Sequence, residues 1–333
     1  MDDWYSRLLH LAASIQEGER KQINGVDMVM ARGLLRNPSV ASVSQKQTES
    51  VFGYKWKKRE TFEGGLPARM REWLIEKYGD VPNTKYFKDY GDQVVVLDAG
   101  CGAALSALAL FEPALKRMRY VGVDISEAVD VAKQRFEEIG SQALFVQSDL
   151  QNIPLPKNSV DVIFSEGVLH HTDDTKRAFM SLLPHLKSGG RMVFYVYRKK
   201  GPIREFTDDY IREKLQTMSP DDAWSAIEPL TELGIALGEM NIEIDVPKDI
   251  DVLDIPAGKI NLQRLFYWHV FKIMYRTDLT FDEMQHINFD WYAPKNAHRH
   301  SIEEVRGWCE EAGLVIEREH VEMAGISIIA RKV

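Results

Sequence analysis

Val94-Val-Val-Leu-Asp98-Ala-Gly100-Cys-Gly102-Ala-Ala104 is the stretch from which the fold is best inferred. Its apolar, β-branched first half is typical of a parallel strand that is buried on both faces. The acid and the small residues that follow predict a tight loop, and residues 105–110 predict a helix. A strand, a glycine loop and a helix in this order form the corner at which α/β proteins hold nucleotide-like cofactors.

Strand and helix patterns alternate downstream of this corner as far as residue 197. Further strands are predicted over 120–124, 144–149, 160–165 and 192–197, with helices over 126–140 and 173–186. A capped helix over 302–312 and closing strands near 314–317 and 326–331 resume the pattern later. We therefore expect a Rossmann-like doubly wound α/β sheet, mostly parallel, with an antiparallel last strand.

Three divisions of the chain are predicted from these patterns. They are an N-terminal helical arm or lid over 1–90, a core over 91–200 and 301–333, and a mainly helical substrate cap over 201–300, inserted after the fifth strand.

The arm and the cap are assigned on helical spacing of apolar residues. In the arm this spacing occurs over 4–17 and 66–78, and in the cap over 207–240 and 259–276. Prolines interrupt 241–258, which predicts a long loop or an edge strand.

Composition excludes several classes of function. The 333 residues carry a net charge of -8, which argues against a general nucleic-acid binder. No window is long and apolar enough for a membrane helix, and the acidic start does not resemble a signal peptide. The only two cysteines, Cys101 and Cys309, lie far apart, so a reducing cytoplasm is expected. Oligomeric state stays open, with a homodimer as one arrangement.

Two further acids narrow the choice of cofactor. Asp124 ends the second strand about twenty residues after Gly102, where a carboxylate accepts hydrogen bonds from ribose hydroxyls. Asp149 ends the third strand, where it can face an adenine amino group. Leu105 stands where a dinucleotide fingerprint wants a third glycine, and Asp98 beside the loop disfavours a pyrophosphate. The loop therefore favours a cofactor that carries an ammonium group and no phosphates.

The Asp98 loop, Asp124 and Asp149 resemble the cofactor motifs of class I S-adenosylmethionine-dependent methyltransferases. Residues 164–172 and 182–192 resemble segments of the small-molecule, type 11-like branch. The resemblance is strong over 94–197 and moderate over 301–331. It implies transfer of a methyl group from S-adenosylmethionine to a small-molecule acceptor, giving S-adenosylhomocysteine. One departure is Ala104, where many members have glycine, and a slightly tighter loop with retained binding is expected.

The resemblance also implies a set of cofactor contacts. Asp98, Gly100, Cys101 and Gly102 would line the methionine moiety, and Asp124 would hold the ribose. Ile125 would pack on adenine, Asp149 and Leu150 would contact its edge, and Ser165 would lie beneath the sulfonium. In related enzymes the N-terminal arm folds over the cofactor, so Tyr54 and Trp56 would close the site. The alternative for these two aromatics is a basic surface turn.

Catalytic and substrate residues are sought at the carboxyl edge of the sheet and in the cap. A base is required only if the acceptor must lose a proton, and Glu166 and His170 are the candidates. The alternative is that Glu166 caps a turn and that the histidine packs. Polar-tipped aromatics and histidines suit a substrate wall or ordinary packing, and the candidates are His171, Tyr267, His286, Trp291 and Tyr292. No metal is expected, because His298 and His300 lack further ligands at suitable spacing.

Two other classes of function stay open. The chain would use or bind the sulfonium differently, as an enzyme of other chemistry or as a non-catalytic subunit, or it would be an NAD-dependent oxidoreductase on the same sheet. A nucleic-acid methyltransferase is disfavoured, because residues 165–168 lack an Asn/Asp-Pro-Pro-aromatic motif.

Overall fold

The structure is a computed structural model that describes residues 3–38, 42–57 and 66–333, with side chains for all of them except 55–57 and 66–68. Its strands are β1 (Arg20–Ile23), β2 (Val26–Ala31), β3 (Leu34–Arg36), β4 (Val94–Ala99), β5 (Met118–Asp124), β6 (Ala143–Gln147), β7 (Val160–Ser165), β8 (Leu186–Tyr197), β9 (Glu243–Val246), β10 (Gly258–Asn261), β11 (Leu314–Val321) and β12 (Gly325–Lys332).

Short 3-10 turns and loops connect these strands to the helices. The helices are α1 (Trp4–Ser14), α2 (Val43–Lys57), α3 (Leu66–Tyr78), α4 (Lys85–Asp89), α5 (Leu105–Phe111), α6 (Ala128–Glu138), α7 (Thr175–Leu182), α8 (Pro202–Leu215), α9 (Pro220–Glu239), α10 (Leu262–His269), α11 (Phe281–Tyr292) and α12 (Ile302–Glu311). None of the helices in the described ranges is both long and apolar enough to cross a lipid bilayer.

One ten-stranded sheet organises the chain, in the order β1-β2-β3-β6-β5-β4-β7-β8-β12-β11. Neighbours from β3 to β8 pair in parallel, whereas β12 pairs antiparallel with both β8 and β11. The predicted Rossmann-like doubly wound fold with an antiparallel last strand is confirmed.

β4 lies near the middle of this sheet because both of its faces are apolar. All six of its residues are buried. Val95 and Leu97 join the core on one face of the sheet, and Val94 and Val96 join the core on the other. The loop after β4 therefore emerges between the ends of β5 and β7, where residues from three strands can meet.

The N-terminal segment differs from a purely helical arm. Besides α1, α2 and α3 it contributes β1, β2 and β3, which extend the sheet beyond β6. The turns that join these strands are two-residue hairpins at Asn24-Gly25 and Arg32-Gly33, all four residues having positive φ. Such turns match the twist of paired strands, and Asn-Gly is a strong hairpin signal that helical spacing alone overlooks.

The cap and the strand before it also differ from expectation in detail. Residues 207–240 form parts of two helices, α8 and α9. The segment predicted as helix over 259–276 begins as β10, which pairs with β9, and its helix ends at His269. β8 begins at Leu186, so Gly189 and Gly190 lie inside a strand at an irregularity in its pairing with β7. Gly189 has a positive φ, which is compatible with a β-bulge as well as with the predicted end of a helix.

Candidate active site

The loop after β4 is shaped by residues that require unusual backbone geometry. Gly100 has φ +87°, and a Cβ built on it would lie 2.1 Å from Cγ1 of Val168, in the loop after β7. The amides of Gly100 and Cys101 both donate to the carbonyl of Val123 on β5, at 2.7 and 3.0 Å. Ala104 is left-handed at φ 60°, a conformation that glycine adopts at lower cost. Val168 thus packs closely over Gly100, and the approach of a ligand to this backbone stays a prediction.

Asp98 is buried at the end of β4, 3% exposed, beside this loop. Tyr120 on β5 donates a hydrogen bond to its Oδ2. Burial raises the pKa of Asp98 to about 7, against the lowering effect of this hydrogen bond and with help from the charges of Asp124 and Glu166. A buried carboxylate of this kind is suited to receive an ammonium group.

Asp124 organises the loop from the tip of β5. Its Oδ2 accepts from the amide of Gly102 at 2.8 Å, and its Oδ1 accepts from the amide and the hydroxyl of Ser126 at 2.8 and 2.6 Å. Burial raises the pKa of Asp124, and these hydrogen bonds oppose the increase. The carboxylate keeps lone pairs on each oxygen for further donors such as ribose hydroxyls.

A cavity of about 110 Å³ opens beside Asp124, and it brings together residues from distant parts of the chain. Ile125 and Asp149, both predicted adenine contacts, line it together with Asn37, Lys46, Glu49, Gln147 and Ser148. Asp149 accepts from the amide of Gln151 at 2.7 Å. The Leu150 side chain is 6% exposed and belongs to the core beneath.

The N-terminal part of this cavity was not predicted from the sequence. Glu49 on α2 faces Asp124 and Glu127, and burial together with these charges raises its pKa. No local pattern marks Asn37, Lys46 or Glu49. Packing of α2 against α6 brings Lys46 and Glu49 to the cavity, and pairing of β3 with β6 brings Asn37 there. They are additional candidates for contact with a bound nucleoside.

Ser165 and Cys101 lie at the floor of the same corner. Ser165 is fully buried, and its hydroxyl donates to the carbonyl of Ala99 at 2.9 Å. Burial raises the pKa of the Cys101 thiol well above its ordinary value, so the thiol is held protonated. Ser165 ends β7 and Cys101 follows β4, and the cofactor contacts of both residues stay predictions.

Glu166 follows β7 directly and is bound by two neighbours on α3. Lys77 Nζ lies 2.6 Å from its Oε1, and the Tyr78 hydroxyl donates to its Oε2. The side chains of Lys77 and Glu166 are 0% and 5% exposed. Both oxygens of Glu166 thus bind side chains of α3, and each oxygen keeps a further lone pair, so its use as a base stays a prediction. Neither Lys77 nor Tyr78 was predicted from the sequence, since 88 or more residues separate them from Glu166.

His170 and His171 lie in the short turn that follows. The His170 ring stacks on Tyr197 at 3.7 Å between centroids, and within the described part of the chain neither of its nitrogens has a hydrogen-bond partner. Burial holds the pKa of His170 well below its usual range, so the ring is neutral. His171 Nδ1 lies 2.6 Å from the carbonyl oxygen of Asn296 and its ring contacts Phe52.

Tyr54 packs between the N-terminal segment and the cap. Its hydroxyl donates to Asp221 at 2.8 Å, and its ring contacts Trp224 and Phe289. Burial, reinforced by Asp221, raises the pKa of Tyr54 to about 12. These contacts are with cap helices and not with the glycine loop, so its cofactor role stays a prediction. The side chain of Trp56 lies outside the described residues.

Four of the predicted substrate residues are in the cap, and three of them surround a buried ion pair. Arg204 Nε lies 2.6 Å from Asp208, whose oxygens also accept from Trp291 Nε1 at 2.7 Å and from the Tyr292 hydroxyl at 2.8 Å. The carbonyl of Tyr267 accepts from Arg204. This cluster is packed and hydrogen-bonded inside the cap, so a substrate role for Tyr267, Trp291 and Tyr292 stays a prediction.

Two contacts relate these cap residues to the rest of the molecule. The Trp291 ring contacts Tyr197 at the end of β8, 4.6 Å between centroids, and so approaches His170. His286 is buried with its ring 5.5 Å from that of Trp224. In the described ranges no group of three or more histidine, cysteine, aspartate or glutamate side chains is placed to hold a metal ion.

The chain is similar to known proteins in both sequence and structure. Residues 97–194 match the family described as "Methyltransferase domain". The chain is 30% identical over 169 residues to phosphoethanolamine N-methyltransferase 1 of Arabidopsis thaliana, covering 50% of this chain and 30% of that protein. It is 25% identical over 161 residues to demethylmenaquinone methyltransferase of Lactococcus lactis, covering 47% and 61%. Among solved structures, magnesium protoporphyrin IX methyltransferase of Synechocystis has a TM-score of 0.47 at 13% identity, covering 89% of this chain and all of that one.

Proposed function

The chain carries a class I S-adenosylmethionine-dependent methyltransferase domain, and from this premise we propose that it moves a methyl group to a small-molecule acceptor, giving S-adenosylhomocysteine. The observation that supports this most is the convergence of Asp98, the Gly100–Gly102 backbone and Asp124 at one sheet edge beside a cavity lined by Asp149. In this proposal the ammonium group of a ligand lies at Asp98, its ribose lies at Asp124, and its base enters the cavity lined by Asp149.

Asp98 receives the ammonium of the cofactor, the glycine backbone accommodates its methionine part, and Asp124 accepts from its ribose. Ile125, Asp149 and Leu150 contact the adenine, with Ser165 beneath the sulfonium. When bound, the cofactor supplies an electrophilic methyl carbon. The protein's part is to orient the acceptor in a site that excludes water.

Proton removal from the acceptor falls to groups that follow β7. Glu166 is a carboxylate held by Lys77 and Tyr78, and His170 is a neutral ring with free nitrogens in the described structure. Both are candidates for the base, and the charge of Glu166 also raises the pKa of Asp98. An acceptor that needs no deprotonation would use neither.

The acceptor is proposed to be a small molecule beneath the cap. The relatives named above include enzymes whose names specify phosphoethanolamine and demethylmenaquinone, which are small-molecule acceptors of different chemistry. Residues 201–300 would form the substrate cap and residues 1–90 the lid on the cofactor side. His171, which contacts the segment at Asn296, is at the boundary between cap and core.

We propose a cytoplasmic location and a small-molecule substrate from the cysteines and the net charge. Both cysteines are free and buried, which suits a reducing cytoplasm. The net charge of -8 argues against nucleic acid as a substrate or partner. Cell fractionation and analytical ultracentrifugation would test the compartment and whether the chain forms a homodimer.

Calorimetric titration of the purified chain with S-adenosylhomocysteine tests the binding part of this proposal. The chain is expected to bind it, and Asp124→Ala is expected to weaken binding at least tenfold. Asp245→Ala, an exposed acid on β9, is the matched control and should leave binding unchanged. No binding by the parent chain would contradict the proposal.

A second experiment tests the chemistry. Methyl-labelled cofactor is added to a metabolite extract with the chain, and labelled products are identified by mass spectrometry. Release of S-adenosylhomocysteine with a labelled small molecule supports the proposed function. Binding of the cofactor without release would instead indicate a non-catalytic cofactor-binding subunit, and consumption without methyl transfer would indicate other sulfonium chemistry.

A further inference from the structure

The ammonium group of Lys77 is enclosed by two aromatic faces. Its Nζ lies 3.6 Å from the centroid of the Trp73 ring and 3.5 Å from the centroid of the Tyr195 ring. The Tyr78 ring is 5.6 Å away, the Glu166 carboxylate lies at 2.6 Å, and the charge of Glu322 also acts on the Lys77 ammonium. Two π faces and one carboxylate around a nitrogen form a site that recognises a cation. We call Trp73, Tyr78, Glu166 and Tyr195 the ammonium cage.

The walls of the ammonium cage are held from outside it. A Cβ built on Gly325 would lie 2.1 Å from the Tyr195 ring, so a glycine at this position of β12 leaves the space that the ring occupies. Arg318 on β11 donates to the carbonyls of Glu76 and Lys77 at 2.8 Å each and fixes the end of α3. Tyr78 donates to Glu166 independently of Lys77. Three of the four walls therefore have supports that do not involve the lysine side chain.

The ammonium cage is next to the cofactor loop. Glu166 directly follows β7, the strand that pairs with β4, and its charge reaches Asp98. Val168, two residues later, contacts the loop at Gly100. The cage thus lies at the same carboxyl edge of the sheet at which the methyl group would be delivered.

We propose that the ammonium cage is the head-group subsite for the acceptor, that the acceptor is a primary amine, and that Lys77 occupies this subsite in its absence. The proposal rests on the proposed methyl transfer and names its substrate class. At 3.5–3.6 Å the two rings leave room for an ammonium nitrogen with hydrogens. Methyl groups on that nitrogen would press against both rings, so the cage selects a primary ammonium over a methylated one.

Exchange between Lys77 and an acceptor is balanced in charge. Burial lowers the pKa of Lys77, so a lysine that leaves for water regains hydration while another cation replaces it at Glu166. Trp73 is 38% exposed, which makes it the wall nearest the solvent. In the transfer the bound amine gives one proton to Glu166, and its nitrogen forms a bond to the methyl carbon as the carbon–sulfur bond breaks. S-Adenosylhomocysteine leaves, and the methylammonium product no longer fits.

Chemical complementation of Lys77→Ala tests the cage without a known acceptor. The probe is n-propylammonium, which replaces the atoms removed by the substitution, and binding is measured by calorimetry and by thermal unfolding at matched ionic strength. Lys77→Ala should bind n-propylammonium at least tenfold more tightly than the parent chain does, because Lys77 competes in the parent. The same variant should bind n-propylammonium at least tenfold more tightly than it binds tetramethylammonium. Lys176→Ala, which removes an exposed lysine at the same distance from its glutamate, should bind neither probe.

Further substitutions in the Lys77→Ala background separate cage recognition from a non-specific hole. Tyr195→Phe keeps the aromatic face and should retain binding of n-propylammonium, whereas Tyr195→Leu and Glu166→Gln should abolish it. If Lys77→Ala unfolds alone, recovery of the folded state with n-propylammonium but not with tetramethylammonium supports the cage equally.

Two outcomes would overturn the inference. One is a Lys77→Ala chain that binds S-adenosylhomocysteine as the parent does but does not bind n-propylammonium, or binds tetramethylammonium as well. The other is a labelled product from the extract that is methylated on oxygen, sulfur or carbon. Either leaves the proposed methyl transfer intact, whereas failure of the parent chain to bind S-adenosylhomocysteine contradicts the proposed function itself.

Discussion

Tyr120 on β5 donates a hydrogen bond of 2.5 Å to Oδ2 of Asp98 on the adjacent strand β4. The bond favours the charged carboxylate, yet burial outweighs it and brings the pKa of Asp98 to about 7. The group that is proposed to receive the cofactor's ammonium therefore changes charge near neutral pH.

Affinity for the cofactor should consequently depend on pH. Only the ionised form of Asp98 attracts an ammonium, and with a pKa of about 7 this form falls roughly tenfold between pH 8 and pH 6. The dissociation constant of S-adenosylhomocysteine, measured by calorimetry, should rise by about the same factor. Tyr120→Phe removes a hydrogen bond that lowers the pKa, so the change should move to higher pH. An Asp98→Asn chain with the same pH dependence as the parent would refute this assignment.

Stability of the ligand-free protein should show the opposite trend. A buried acid whose pKa is raised from 3.8 to about 7 holds its proton more tightly in the folded state, so stability is lost as pH rises from about 4 to 7. Asp98→Asn should thus raise the free energy of unfolding at pH 8 by up to about 4 kcal/mol, at about 1.4 kcal/mol per pKa unit, while cofactor binding is lost. Urea unfolding at pH 4 and pH 8 measures this, and equal effects at the two values would contradict it.

Gly100→Ala should damage the loop in two ways. The new Cβ meets Val168 at 2.1 Å, and φ +87° is unfavourable for any residue with a Cβ. A cost of about 2–4 kcal/mol in unfolding free energy is expected from overpacking and backbone strain together. Val168→Gly removes the clash but not the strain, and because Val168 packs against the core this single variant is the reference for the double variant. Relative to that reference, urea denaturation should show a smaller cost of Gly100→Ala. No cost relative to that reference would mean that the backbone conformation is not strained.

Glu49→Ala should weaken cofactor binding by about tenfold, the loss expected for one hydrogen bond to a charged acceptor. Glu49 lines the cavity with Asp149 and faces Asp124, and the prediction assumes that it accepts from a ribose hydroxyl. Loss of a carboxylate that faces two others should also raise the melting temperature of the ligand-free protein. Ser50→Ala, exposed on the same helix, is the control for calorimetry and melting. Unchanged affinity in Glu49→Ala would assign the residue to packing alone.

Asp208→Ala distinguishes packing from substrate binding in the cap. It leaves Arg204 buried without its carboxylate and should cost about 3–5 kcal/mol of stability. Glu213→Ala, at an exposed position of the same helix, is the control and should cost under about 1 kcal/mol. Both variants should bind S-adenosylhomocysteine normally. If Asp208→Ala were fully stable but had lost methyl transfer, Trp291 and Tyr292 would be assigned to the substrate site.

Local signals predict the centre of the fold well, because there the covalent sequence and the contacts coincide. The apolar run of β4, the loop after it and the acids at strand ends are all read from neighbouring residues, and the structure brings Asp98, Asp124 and Asp149 to one edge of the sheet. The Asn24-Gly25 hairpin is an equally local signal, but the helical spacing of residues 4–17 does not reveal it.

Contacts between distant segments are what the sequence does not reveal. Lys77 and Tyr78 meet Glu166 across more than 80 residues, and their own helix shows only ordinary amphipathic spacing. Glu49 reaches the cavity through packing of α2 on α6. The aromatic residues of the cap were recognised as a group, but their burial around Asp208 depends on a helix 60 or more residues earlier in the chain.

The side chain of Gln47 bonds both to the carbonyl of Ala293 and to the amide of Lys295, 246 and 248 residues away. Helix α2 lines the cavity beside Asp124, and these two bonds connect it to a segment that is synthesised long after it. During translation the strands up to β7 can pair while this helix still lacks these bonds. Helix α2 should therefore reach its final position only after residues 293–295 have been synthesised and have folded back against it.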